Sequence, residues 1–111
     1  MKIHPSIQKK LPALIDFLKQ HRVKRAAIFG SATTTDFGPE SDLDLLVAFN
    51  DSLSNSEYTN HFWGIYLELP KLLGRPVDVV VEGNVKNPYF IEELNETKVT
   101  VYDEESEKVP V

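Results

Sequence analysis

Segments of strand length, Val23–Phe29 with its apolar run Ala26-Ala27-Ile28-Phe29, Leu43–Phe49 and Val77–Val81, alternate with segments of helical period, and this alternation limits the possible folds more than any other feature. Leu11, Leu14, Ile15 and Leu18 recur at three- and four-residue steps, predicting a helix over 11–20 with Pro12 tolerated in its first turn and Ile7 extending its apolar face. Tyr58, Phe62, Ile65, Tyr66, Leu69, Leu72 and Leu73 step the same way, predicting a longer helix that Pro70 kinks or shortens and Gly74 stops. Residues 50–56 read as a polar loop. Asn87 and Pro88 suit the cap and first turn of a short helix through Leu94, and residues 98–102 suit a last strand. Strands alternating with helices predict an α/β (α+β) domain with a mixed β-sheet flanked by helices.

The chain has 111 residues, material for one domain, expected over residues 1–102 with an acidic tail at 103–111. Its net charge is −5, of which −3 falls in that tail. Lys24, Arg25, Lys71 and Arg75 are too scattered to form a basic stripe, which argues against free nucleic acid as a ligand. The absence of cysteine excludes disulfides, thiolate metal sites and a cysteine nucleophile, and fits a reducing cytoplasm. Residues 1–20 lack the apolar core of a secretion signal, and no apolar run elsewhere is long enough to span a bilayer.

Three carboxylates interrupt the apolar strands. Asp44 stands between Leu43 and Leu45-Leu46-Val47, Asp42 lies two residues earlier, and Asp78 divides Val77 from Val79-Val80-Val81. Strand period places Asp42 and Asp44 on one face, about 6.5–7 Å apart along the backbone. Asp is depleted in strands and costly to bury alone, so three such residues with no basic residue in their strands call for cations. Asp42 also suits a turn after Ser41, and Asp44 and Asp78 could pair with distant Lys or Arg or lie on a solvated sheet face. Hard oxygen ligands without Cys or clustered His favour Mg²⁺ or Mn²⁺, and two ions would suit displacement at phosphorus.

Gly30-Ser31 closes the first strand and opens a short helix expected through Thr35. A turn of small residues lets backbone N–H groups approach a phosphate, with the helix dipole and the Ser31 hydroxyl adding attraction. The order is then Gly30-Ser31, ten residues, Asp42-Leu43-Asp44, and a third Asp, Asp78, in a valine-rich strand. Over residues 23–102 this pattern resembles the nucleotidyltransferase superfamily with the DNA polymerase β-like palm, and most closely its minimal nucleotidyltransferase (MNT) members. The resemblance implies a palm-like fold in which Gly30 and Ser31 hold the β- and γ-phosphates of an incoming nucleotide, ATP or another NTP. It implies that Asp42 and Asp44 hold two Mg²⁺ ions, that Asp78 ligates the catalytic metal and helps activate the acceptor hydroxyl, and that pyrophosphate is released. It further implies a partner, a HEPN-type toxin, which the chain would modify with AMP as antitoxin.

Ala32, Thr33, Thr34 and Thr35 depart from the small residue, Ala, Arg and Gly that follow Gly-Ser in many such proteins. Thr34 supplies neither the charge nor the bidentate fork of the Arg it replaces. That departure motivates the alternative of a non-catalytic partner-binding antitoxin or scaffold. A small-molecule transferase of the aminoglycoside-modifying kind is a third possibility, opposed by the lack of an acceptor-binding domain. His4, His21 and His61 show no ligand spacing and read as separate surface or internally satisfied residues. Phe62 is expected in the core with Trp63 partly buried beside it, and Tyr89, Phe90, Ile91 and Leu94 are expected to pack the short helix on the sheet.

Overall fold

The computed structural model describes residues 3–33, 37–38 and 41–106. A one-turn helix, α1 (Pro5–Gln8), is capped by His4, whose Nδ1 accepts from the Ser6 N–H at 3.2 Å, and is followed by α2 (Leu11–Gln20). Ile7 belongs to this separate turn: Pro12 has no N–H to offer the Gln8 carbonyl, so the two helices cannot merge without losing a hydrogen bond. Strand β1 (Val23–Phe29) leads into a 3-10 turn (Gly30–Thr33). Next come β2 (Leu43–Phe49), α3 (Asn55–Leu73), β3 (Val77–Val81), a 3-10 turn (Glu82–Asn84), α4 (Pro88–Thr97), β4 (Val99–Asp103) and a 3-10 turn (Glu104–Ser106). Asp103 and residues 104–106, the start of the expected tail, thus continue the fold, and residues 107–111 lie outside the described residues.

The four strands form one mixed sheet in the order β3-β2-β1-β4. β1 runs antiparallel to β2 and β4, while β2 and β3 are parallel and joined across the sheet by α3. That helix begins earlier than apolar spacing alone suggests, because Ser54 and Glu57 form a capping box. Ser54 Oγ accepts from the Glu57 N–H at 3.2 Å, and Glu57 Oε1 accepts from the Ser54 N–H at 3.1 Å. Residues 55 and 56 therefore leave the expected loop. Pro70 lies inside α3 without ending it, and the helix runs on through Leu73. Gly74, at φ 67°, closes the helix by donating to the Pro70 carbonyl at 2.8 Å. Asn87 caps α4 as expected, and the helix runs three residues past Leu94.

The two sheet faces are covered unequally. Leu43, Leu45, Val47 and Phe49 of β2, with Ala26 and Ile28 of β1, pack against Leu14 and Leu18 of α2 and Ile65, Leu69 and Leu73 of α3. The other face carries a smaller cluster, Ala27, Phe29, Leu46 and Leu94, supported by Phe90, Val80 and Val85. Among the described helices only α4 packs there, through Phe90 and Leu94, whereas Tyr89 at 82% and Ile91 at 37% are exposed, contrary to their expected packing role. Phe62 packs beside the main core, and Trp63 is more exposed than expected, at 51%. Among the described residues no helix is long and apolar enough to cross a membrane.

Candidate active site

Asp44 is the second residue of β2, flanked by Leu43 and Leu45, both wholly buried against the two-helix layer. Strand alternation therefore turns Asp44 to the thinly covered face. There it is the register partner of Asp78 on β3 and of Phe29 on β1. Neighbouring strands lie about 4.8 Å apart, so the Asp44 and Asp78 side chains leave the sheet side by side. Asp42, two residues upstream, is exposed like Asp78, whereas Asp44 is half-buried. Burial is the main cause holding the Asp44 carboxyl above the usual carboxylate range, with the charges of Asp78 and then Asp42 acting in the same direction. The parallel β2–β3 register thus brings together two carboxylates that are far apart in the chain.

Gly30 follows Phe29 at the end of β1 and comes up against the same carboxylate. Its φ of 72° lies in the left-handed region, and a Cβ there would collide with Asp44 Oδ2 while standing 3.3 Å from Asp44 Cγ. Glycine is required on both counts. The turn that follows is a four-residue 3-10 segment, held by Thr33 Oγ1 donating to the Gly30 carbonyl at 2.8 Å. It is too short for a substantial helix dipole, so its asset is close backbone approach. The Ser31 side chain, together with Thr34 and Thr35, lies outside the described residues.

Ion pairs elsewhere join Lys24 to Asp51, Arg25 to Glu82 and Lys71 to Glu68. No basic side chain among the described residues pairs with Asp42, Asp44 or Asp78. Among the described residues no three His, Asp or Glu side chains converge tightly enough to hold a metal ion as placed. The donor chemistry nevertheless fits a hard divalent cation: oxygen donors only, mutually repelling, on an open face.

Two arrangements escaped the sequence reading. Arg75, counted there only as a scattered charge, donates through Nη1 to the carbonyls of Gly38 and Ser41, both at 3.1 Å, and its guanidinium lies 4.3 Å from the Phe37 ring centroid. His21 and His61 meet with their Nδ1 atoms 3.2 Å apart. Burial, followed by the proximity of His61, lowers the His21 pKa. The one available signal for this pair was Gly64 inside a helix, whose missing side chain leaves room for the His21 ring: a Cβ there would lie 2.6 Å from His21 Cε1.

An open face carrying paired carboxylates beside a glycine turn at a strand end is the arrangement of a nucleotidyl-transfer palm. The chain belongs to the nucleotidyltransferase domain family, which it matches over residues 11–103. A protein of Methanocaldococcus jannaschii named "Putative protein adenylyltransferase MJ0128" is 33% identical over 101 residues, covering 84% of this chain and 99% of that protein. A solved structure described as a "putative minimal nucleotidyltransferase" is 28% identical with a TM-score of 0.65, over 85% of this chain and 91% of that one. The structure of a tri-AMPylated Shewanella oneidensis HEPN toxin in complex with MNT antitoxin shares the fold at 18% identity and a TM-score of 0.64, over 91% of this chain and 76% of that one.

Proposed function

We propose that this nucleotidyltransferase transfers AMP from ATP to a hydroxyl group on a partner protein, a HEPN-type toxin, and so acts as its antitoxin in the cytoplasm. The observation that carries the reading is the meeting of Gly30, Asp44 and Asp78 on the open sheet face. The named relative supports a protein acceptor, the toxin–antitoxin neighbour supports the partner, and the lack of cysteine supports the compartment.

Asp42, Asp44 and Asp78 would hold Mg²⁺, as two ions, with Mn²⁺ as a substitute. When bound, the metal supplies charge that offsets the triphosphate and the developing pyrophosphate. The chain's own residues do the rest. Gly30, lacking a side chain, lets the turn backbone come close to the β- and γ-phosphates, and Ser31 adds its N–H and hydroxyl as donors. The acceptor oxygen attacks the α-phosphorus, the bond from that phosphorus to the bridging oxygen breaks, and pyrophosphate leaves with the electron pair. The acceptor proton passes to Asp78, which has no basic partner among the described residues to compete for it.

The decisive experiment incubates the protein and its toxin partner with ATP and Mg²⁺ and reads intact mass. A gain of AMP on the partner, absent with Asp42→Asn/Asp44→Asn, is expected. Thr34, which stands where many such proteins carry an arginine after Gly-Ser, favours a second reading, a binding module that neutralises its partner without transfer. Neutralisation that survives undiminished in the double variant would establish that reading instead.

A further inference from the structure

We infer that Arg75 is a positioning residue for the carboxylate site, a reading that rests on the proposed transfer activity for its kinetic consequence. Residues 37, 38, 41 and 42, between the glycine turn and β2, have no regular secondary structure, so contacts from other elements help to fix where they lie. Arg75 and its neighbour Pro76 do this at three backbone points. Arg75 Nη1 donates to the Gly38 and Ser41 carbonyls at 3.1 Å each, and the Pro76 carbonyl accepts from the Leu43 N–H at 3.0 Å. These points bracket Asp42 on both sides and end at the residue before Asp44.

The Arg75 side chain is itself fixed. Its guanidinium lies over Phe37, which is buried, and the far side of the assembly is braced by α1: the His4 ring packs against Phe37 with centroids 5.2 Å apart, and the His4 N–H donates to the Ala32 carbonyl at 3.0 Å. Within the segment, Gly38 and Ser41 close on each other, with the Ser41 N–H donating to the Gly38 carbonyl at 3.1 Å and the Gly38 N–H donating to Ser41 Oγ at 3.0 Å. Arg75 precedes β3 by two residues, so the group that clamps the Asp42 segment is carried by the chain that enters the Asp78 strand. One guanidinium thereby ties the approach to β2 to the approach to β3. One guanidinium nitrogen carries two hydrogens and can serve both carbonyls while the planar group lies over a ring; an ammonium can reach the carbonyls but has no such planar face. Small displacements of catalytic groups can cost about 100-fold in rate, which sets the expected scale.

The test compares the full-length wild type with Arg75→Met, Arg75→Lys and Phe37→Leu by amide hydrogen exchange, by Mn²⁺ broadening of the Asp44 and Asp78 amide signals, and by steady-state kinetics with ATP and partner. Arg75→Met is expected to speed exchange at Ser41 and Leu43 at least ~10-fold, to weaken Mn²⁺ broadening, and to lower kcat by ~10–100-fold with KM for ATP changed less than ~3-fold. Arg75→Lys should recover part of each loss. Phe37→Leu, which keeps an apolar side chain in the core and leaves the Arg75 donors in place, should show a weaker form of the same pattern and answers the question even if Arg75→Met does not fold. Wild-type exchange at Ser41 and Leu43 would overturn the inference. So would a lowered melting temperature accompanied by unchanged kcat and Mn²⁺ broadening. If the wild type itself transfers no AMP, the proposed activity fails, while exchange and Mn²⁺ broadening still decide the role of Arg75.

Discussion

The two faces of the sheet are built for different ends. On one, Leu43, Leu45 and Val47 meet Leu14, Leu18, Ile65 and Leu69, all 0% exposed, beneath two helices. On the other, the same strands present Asp44 and Asp78 beside Phe29 and Leu46, with one short helix covering part of the surface. The closed face supplies most of the buried apolar area and hence most of the stability. The open face gives up that gain and instead keeps charged groups close together and accessible. Like charges on neighbouring strands are unfavourable in the free protein, so the open face spends stability that the closed face must provide.

Four experiments can break or sharpen this contrast. The largest effect is expected for Asp44→Asn, which should lower transfer at least ~100-fold by removing one of the carboxylates proposed to hold Mg²⁺. The same substitution should raise the melting temperature at neutral pH. The folded-state pKa of Asp44 is raised, so its ionised form penalises folding above that pKa, and the penalty fades as pH falls through the folded value. A melting temperature that drops at pH 7 would show that Asp44 is a structural residue. Next, Leu69→Ala in α3 should cost about 2–5 kcal/mol in urea unfolding, and Leu46→Ala should fall toward the low end of that range because its smaller cluster, under one short helix, can settle. Equal losses would abolish the distinction between the faces.

Gly30→Ala should cost about 1–2 kcal/mol for the left-handed backbone alone, with the collision against Asp44 added. It should depress transfer as well, and an unchanged rate would separate the turn from the site. The smallest effect concerns the His21–His61 contact. The folded pKa of His21 is lowered, so the neutral form is favoured; its contribution is complete above the unfolded value near 6.5 and is lost as pH falls below it. Melting followed from pH 7.5 to 5 should show a small loss that His21→Gln removes. A pH response retained in that variant would assign the titration to another group.

Much of this was legible locally. The strands could be read from β-branched and apolar runs of the right length, α2 from its three- and four-residue steps, and α4 from Asn87 and Pro88. The start of α3 was equally present in the sequence, as Ser54 and Glu57 three residues apart, but apolar spacing conceals it because the cap precedes the first apolar step. Asp42, Asp44 and Asp78 were conspicuous because carboxylates break strand composition. Arg75, His21 and His61 were not, since a single basic or imidazole side chain carries no pattern until its partners are placed.

The sequence by itself determined which segments are strands and helices, where Gly30 must turn, and which carboxylates stand out, because each depends on interactions within a few residues. Tertiary structure alone decided that Asp44 faces Asp78, that α4 leaves this face partly open, and that Arg75 grips Gly38 and Ser41. Those outcomes follow from strand register and from which helix covers which face, and both are settled by the packing of apolar side chains distant in the chain.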